Sequence, residues 1–241
     1  MTYGENFYKD RTKNTQLAAK KVLTFIQKEI KDIDTVVDIG CGSGAWLSEA
    51  KDLFSAIKTI GLEGEWLPKK IIEDLRLNSI EIHTGDFNST NFLMNVPKSD
   101  LIICLEVLEH VNKNTIDYIC SEIFTKAENI LFSAAIPYQG GKGHINEIPL
   151  SYYVKLMSSY GYGCSDNIRK EIWQEPNIPY WYKQNTVLFR RNQPNIISGP
   201  IDIIHPECLK VRAKPSLSQG VYHFVNKGKE LLKLIKKMII K

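Results

Sequence analysis

The sequence predicts an α/β protein built on a doubly wound, mostly parallel sheet of seven strands. Two observations carry this. Five short, apolar and partly β-branched runs, at 35–39, 56–62, 79–83, 100–105 and 129–135, alternate with stretches of helix length, and near-continuous apolar runs are what strands buried on both faces of a parallel sheet require. Directly after the first run come Gly40, Gly42 and Gly44, ahead of a helical stretch, and open α/β sheets bind ligands at such a strand exit. A chain of 241 residues is long enough for one domain of this kind and short for two.

The elements follow in order. At 15–30, Leu17, Val22, Leu23, Phe25, Ile26 and Ile30 recur at helical spacing between lysines and glutamines, which predicts an amphipathic helix. The five strands come next. Beyond residue 136 a loop rich in Gly and Pro leads to a helix at 151–160 and two further strands at 164–169 and 186–190. From Asn192 prolines and isolated apolar residues give way, at Lys227, to a lysine-rich run with Leu231, Leu234, Ile235, Met238 and Ile239 on one helical face. We therefore divide the chain into an N-terminal arm and helix (1–32), a central domain (33–191) and a C-terminal extension (192–241) ending in a basic amphipathic helix. That helix suits packing or self-association first, and peripheral contact with an anionic membrane second.

Bulk properties narrow the partners. Hydrophobic residues at 43% and charged residues at 24% are ordinary for a soluble globular protein. The cysteines Cys41, Cys104, Cys120, Cys164 and Cys208 are odd in number and contain no C-x-x-C pair, which points to a reducing compartment. The N-terminus has no apolar signal-like run and no segment reaches the ~20 apolar residues of a membrane span, so a cytoplasmic location is expected. A net charge of +4 without a basic stripe argues against nucleic acid as partner. Oligomeric state is not legible.

The loop after the first strand could serve two ligands. Gly40, Gly42 and Ala45 satisfy the G-x-G-x-x-G/A dinucleotide pattern, with Glu63 roughly 20 residues on. Asp38, two residues before the first glycine, separates the alternatives, because a carboxylate there suits a sulfonium and an amino group and repels pyrophosphate. Glu63 ends the second strand, where an acid can accept ribose hydroxyls. Asp86 and Phe87 follow the third strand, placed to accept from an adenine amino group and to cover the base. Cys41 and Leu105 complete the expected donor pocket.

In order and spacing, D-x-G-x-G-x-G followed by acids after the second and third strands resembles the class I, Rossmann-like methyltransferases that use S-adenosylmethionine. The resemblance implies an antiparallel last strand and an S-adenosylmethionine cofactor, with a nicotinamide-dependent oxidoreductase as the rival reading. After the fourth strand, Glu106, Glu109 and His110 form E-x-x-E-H. If the chain turns helically there, they converge at the ligand-binding edge of the sheet. The pattern resembles methyltransferases of small-RNA 3′ ends and ubiquinone-pathway O-methyltransferases, and this implies a divalent ion (magnesium, manganese, iron or zinc) held by Glu106, Glu109, His110 and His144. Without an ion, His144 or His110 is the candidate general base.

Two further stretches, 131–147 and 180–185, resemble a bacterial family of class I methyltransferases often encoded beside surface-polysaccharide or sugar-modification genes. The resemblance implies O-methylation of a small, sugar-containing acceptor, with RNA 2′-O-methylation as the alternative that E-x-x-E-H suggests. Residues 140–143 are expected to form a lid. Trp173, Tyr180, Trp181 and Tyr182, beside Lys183, Gln184 and Asn185, are expected to offer ring faces and hydrogen-bond donors, against an equally natural role as core. His83, His205 and His223 are read as structural.

Overall fold

A computed structural model of the protein describes residues 5–54 and 58–213. The lysine-rich run from Lys227 and His223 lie outside the described residues. Seven strands form one sheet: β1 (Thr35–Ile39), β2 (Lys58–Glu63), β3 (Glu81–Thr84), β4 (Ser99–Leu105), β5 (Ala127–Ser133), β6 (Tyr162–Ser165) and β7 (Val187–Arg191), in the order β3-β2-β1-β4-β5-β7-β6. The first five are mutually parallel. β7 runs antiparallel to both β5 and β6. The expected doubly wound sheet with its antiparallel last strand is therefore present.

Strand order reverses between β1 and β4, where Asp38 pairs in register with Ile103 and Ile39 with Cys104. The loops leaving these two strands consequently diverge from neighbouring points, opening the crevice in which such sheets bind ligands. Period-two alternation sends Val37, Ile39, Ile102, Cys104, Ile130 and Phe132 into one core layer and Val36, Leu101, Ile103, Leu105 and Leu131 into the other. Each such side chain contributes about 1.5–3 kcal/mol by leaving water, so the crevice rests on a well-buried platform.

Helix α1 (Glu5–Glu29) begins earlier than its apolar pattern suggested and lays fully buried Ala18, Ala19, Val22, Leu23 and Ile26 into the second layer. Helices α2 (Ala45–Leu53), α3 (Lys69–Leu77), α4 (Thr90–Leu93), α5 (Lys113–Tyr118) and α6 (Leu150–Ser159) connect the strands. α5 is capped by the Asn112 side chain, which accepts from Thr115 N at 2.9 Å. After β6 come α7 (Asn167–Ile172), α8 (Tyr180–Asn185) and, beyond β7, α9 (Pro206–Arg212).

One strand lies earlier than predicted. The sequence placed the sixth at 164–169, but Gly161, at φ 84°, turns the chain sooner and β6 pairs with β7 from Tyr162 onward. Ile168, Arg169 and Ile172 then become the buried face of α7. Ile168 and Ile172, buried and four residues apart, belong to a helical turn rather than to the end of a strand.

The described residues up to Cys208 form one compact unit, and 209–213 belong to a second. Within the first, residues beyond Asn192 still join the sheet's edge: Ile196 bridges Ser165, and the Asn195 side chain accepts from Cys164 N at 2.8 Å. Among the described residues no helix is long and apolar enough to cross a membrane.

Candidate active site

The glycine loop is dictated sterically. Gly40 and Gly44 have φ of 76° and 74°, and a Cβ on them would lie 2.4 Å from Val107 Cγ2 and 2.2 Å from Leu75 Cδ2. A side chain at either position meets both a left-handed backbone and an occupied neighbour. Gly40 N and Cys41 N both donate to Leu62 O, at 2.8 and 3.0 Å, tying the loop to β2.

Two carboxylates line this loop. Asp38 is 2% exposed and its Oδ2 has no hydrogen-bond partner among the described residues. Burial first, and the nearby Glu63 second, hold its pKa well above the usual carboxylate range. Glu63 accepts from Gly42 N at 2.7 Å through Oε2 and from Gly64 N at 2.8 Å through Oε1. Burial raises its pKa while these two bonds lower it. Cys41 is buried and its thiol is pushed up, chiefly by burial, so it lines the loop as a small apolar group. Leu105 ends β4 as a buried side chain at the crevice.

The two residues expected at the adenine differ in exposure. Asp86 is exposed and its Oδ1 accepts from Asn88 N at 2.9 Å, forming a side-chain turn. Phe87 is buried in the core with its ring edge-on to Phe92 at 5.5 Å. Trp66, which the sequence reading passed over, lies against Gly64, where a Cβ would meet its ring at 2.2 Å, and its buried Nε1 has no partner among the described residues. A tryptophan so soon after an acid that ends the second strand was the available signal.

On the other side of the crevice the chain does not turn helically at Glu106. Glu106 adopts φ 56°, its N donates to Ser133 O at 3.0 Å, and a tight turn begins only at Leu108–His110. Its carboxylate instead accepts from Gln139 Nε2 at 2.9 Å and Asn185 Nδ2 at 3.0 Å. Gln184 Nε2 and Asn185 Nδ2 both donate to Gln139 Oε1, at 3.0 and 2.9 Å, closing an amide network.

Glu109, His110 and His144 do converge. One ligand atom from each lies within 4.8 Å of the other two, and Glu106 is not part of this group. Glu109 is 0% exposed, and its carboxylate, close to the backbone N–H groups of Glu109 and Ala135, has no side-chain hydrogen-bond partner among the described residues. Burial, then the charge of Glu106, raises its pKa well above the carboxylate range. His144 Nε2 stands 4.0 Å from Glu109 Oε1, and the imidazole rings of His110 and His144 meet edge-on at 4.9 Å.

Both imidazoles are oriented from behind. His110 Nδ1 lies 3.2 Å from Gly143 O, and His144 Nδ1 lies 2.9 Å from Glu147 Oε1, which also accepts from Gly140 N at 2.5 Å. Ile145 N and Asn146 N donate to Glu109 O at 2.8 and 3.1 Å. The glycine segment expected to be a lid is thus tied to the cluster, with Gly141 set flat against the His144 ring, where a Cβ would lie 2.1 Å from Nε2.

The expected ring-binding wall is split: Tyr182, Lys183, Gln184 and Asn185 are buried, whereas the other aromatic residues are half-buried. Tyr182 is buried edge-on to Trp46 at 5.6 Å, and Trp173 meets His205 in a tilted ring contact at 4.5 Å. Lys183 is 1% exposed and pairs with Glu207 at 2.7 Å, while Gln184 and Asn185 are spent in the amide network. Of the aromatic residues, Trp173, Tyr180 and Trp181 remain half-buried, the last two in ring contact at 5.3 Å. His205 Nε2 lies 3.1 Å from Trp173 O, and His83 is an exposed partner of Glu81 at 2.7 Å.

Residues 11–123 match a family model described as a methyltransferase domain. A ubiquinone biosynthesis O-methyltransferase from Glaesserella parasuis serovar 5 (strain SH0165) is 34% identical over 128 residues, 51% of this chain and 53% of that protein. A 3-O-methylredipecamine 2-O-methyltransferase from Carapichea ipecacuanha is 26% identical over 163 residues, 68% of this chain and 39% of that protein. The chain thus spans about two-fifths to half the length of these curated relatives. Human N-acetylserotonin methyltransferase, solved with S-adenosylmethionine, superposes with TM-score 0.51 at 16% identity over 79% of this chain and 57% of its own. The plantazolicin methyltransferase solved with S-adenosylhomocysteine gives 0.52 at 15% identity over 77% and 88%. The fold is that of the class I, Rossmann-like methyltransferases.

Proposed function

We propose that this chain, carrying a class I methyltransferase fold, transfers a methyl group from S-adenosylmethionine to a hydroxyl of a small, sugar-containing acceptor, and that Glu109, His110 and His144 hold a divalent cation beside that hydroxyl. The observation that carries the proposal is the pairing of two acid-lined sites across one crevice. A loop braced by Asp38 and Glu63 leaves β1, and the Glu109, His110 and His144 group leaves β4.

The residues fit both groups. Asp38 has a buried oxygen with no internal partner, which a cationic amino or sulfonium group would compensate and a pyrophosphate would aggravate. Gly40, closed off by Val107, leaves backbone rather than side chain facing the loop's ligand. Glu63 keeps lone pairs beyond its two backbone bonds and suits ribose hydroxyls, and Trp66 offers an indole beside it. When bound, S-adenosylmethionine supplies an electrophilic methyl on positively charged sulfur. The C–S bond breaks as the new C–O bond forms, so the acceptor hydroxyl must shed its proton.

The Glu109 group fits a cation because a fully buried carboxylate with no side-chain hydrogen-bond donor, beside two imidazoles, is costly unless a positive charge joins it. Glu147 and Gly143 O fix the two rings through Nδ1, the arrangement that orients metal-binding histidines. When bound, the ion supplies positive charge that eases loss of the hydroxyl proton. Nitrogen ligands favour manganese, iron or zinc over magnesium. In an ion-free enzyme, His144 backed by Glu147 is the proton acceptor, as a carboxylate-oriented imidazole.

The sugar-containing acceptor rests on the resemblance of 131–147 and 180–185. Transfer of labelled methyl from S-adenosylmethionine to a panel of nucleotide sugars, set against short RNAs, tests it. Label on the sugars alone supports the proposal, and label on RNA alone replaces the acceptor class.

A further inference from the structure

Gln139 N donates to Ile136 O at 3.0 Å, closing a four-residue turn over 136–139. Pro137 occupies its second position and Tyr138 its third, with φ 68°. A turn of this kind calls for glycine or asparagine at the third position, because the backbone there is left-handed. A bulky aromatic in that conformation is an outlier that must be held by its surroundings. The Tyr138 side chain itself gains nothing in return. It is 91% exposed and has no hydrogen bond or ring contact among the described residues.

The holding is done by the neighbours, and they are site residues. Gln139 binds Glu106, Gly140 N binds Glu147, and Glu147 orients His144. At the far end of the same segment, Ile145 is 64% exposed while its N is fixed on Glu109 O. Two large apolar side chains therefore stand in solvent at either end of 138–145, a segment that ties Gln139 to Glu106, carries His144 and meets Glu109 O through Ile145 N.

Granted the methyl-transfer reading above, the geometry points to Tyr138 as the residue that selects the acceptor: its ring receives the face of a six-membered ring bearing adjacent hydroxyls, with Ile145 as a second apolar contact. An aromatic face and an aliphatic edge both reward a flat or pyranose ring, through dispersion and C–H contacts with the π face. An open-chain polyol offers neither. Hydroxyl chemistry belongs to the Glu109 group, and ring selection to Tyr138. The shared ligand chemistry is a ring with vicinal hydroxyls, whether pyranoside or catechol.

The test uses the whole 241-residue chain loaded with S-adenosylhomocysteine and manganese, titrated by ligand-observed NMR with methyl α-glucopyranoside, catechol and glycerol. We expect the pyranoside to bind and glycerol not to. Tyr138→Phe should match the parent, whereas Tyr138→Asn and Tyr138→Gly should weaken ring binding about five- to tenfold at unchanged S-adenosylhomocysteine affinity and with a Tm equal to or above the parent's. A merely structural tyrosine would not weaken ring binding while the fold gains stability. Ring binding unchanged in the Asn and Gly variants, equal binding of glycerol, or no binding of either ring probe overturns the inference. Binding of catechol alone keeps Tyr138 in its role and removes sugar from the proposed function. Failure of the parent to take up S-adenosylhomocysteine instead refutes the methyl-transfer reading on which the selection rests.

Discussion

Glu63 Oε2 accepts a hydrogen bond from Gly42 N at 2.7 Å, so the acid that ends β2 is also the strut of the glycine loop on β1. The loop's shape and the placement of one donor-site carboxylate are therefore a single feature. Glu63→Ala should lower S-adenosylhomocysteine affinity at least tenfold and cost about 1–3 kcal/mol of stability, since one buried and one part-buried N–H group lose their acceptor. Calorimetric titration and chemical denaturation read the two effects separately.

Asp38 gives a pH-dependent signature. Its folded pKa is raised by burial and by Glu63, so the folded state holds its proton to higher pH than the unfolded chain. Stability contributed by the protonated form is present below the ordinary carboxylate pKa of about 4 and is lost as pH rises through the raised folded value. Asp38→Asn should therefore raise Tm at neutral pH, with the gain shrinking toward pH 4, while donor affinity falls. Thermal melts across that range check the first half, and calorimetry the second.

Removing metal is expected to separate the two halves of the crevice. Dialysis against a chelator should abolish most methyl transfer, add-back of manganese or zinc should restore it, and S-adenosylhomocysteine affinity should stay within about twofold throughout. An ion at 100 times its Kd should raise stability by about 2.7 kcal/mol, and Glu109→Gln should erase that increment. Activity indifferent to chelator and add-back assigns the proton transfer to His144 alone.

Gly40 tests the steric account of the loop. Gly40→Ala combines a left-handed backbone, costing about 1–2 kcal/mol, with a Cβ 2.4 Å from Val107 Cγ2. Adding Val107→Ala should recover the packing part and leave the backbone part. Denaturation of the single and double variants measures both. Equal stability of Gly40→Ala and the parent contradicts the account.

Much of the fold was legible because it depends on local pattern. Apolar strand runs and the positions of Gly40, Gly42 and Gly44 follow from burial and backbone sterics, which a sequence records directly. The donor side was legible in Asp38 and Glu63 but not in the strut that joins Glu63 to Gly42, because hydrogen bonds between strands leave no trace in spacing. On the acceptor side, E-x-x-E-H suggested four convergent ligands. The left-handed turn at Glu106 takes that carboxylate into an amide network with Gln139 and Asn185, partners 33 and 79 residues away. The aromatic and polar stretch at 180–185 was ambiguous for the same reason: only tertiary structure shows that Lys183 meets Glu207 and that Tyr182 covers Trp46.

The central claim is that the crevice between β1 and β4 takes a positively charged adenosine derivative. Calorimetric titration of the intact chain with S-adenosylmethionine, S-adenosylhomocysteine and NAD tests it most directly. The account predicts saturable one-to-one binding of the first two, weakened at least tenfold by Asp38→Ala, and no measurable heat from NAD. Binding of NAD with no response to S-adenosylmethionine would contradict it.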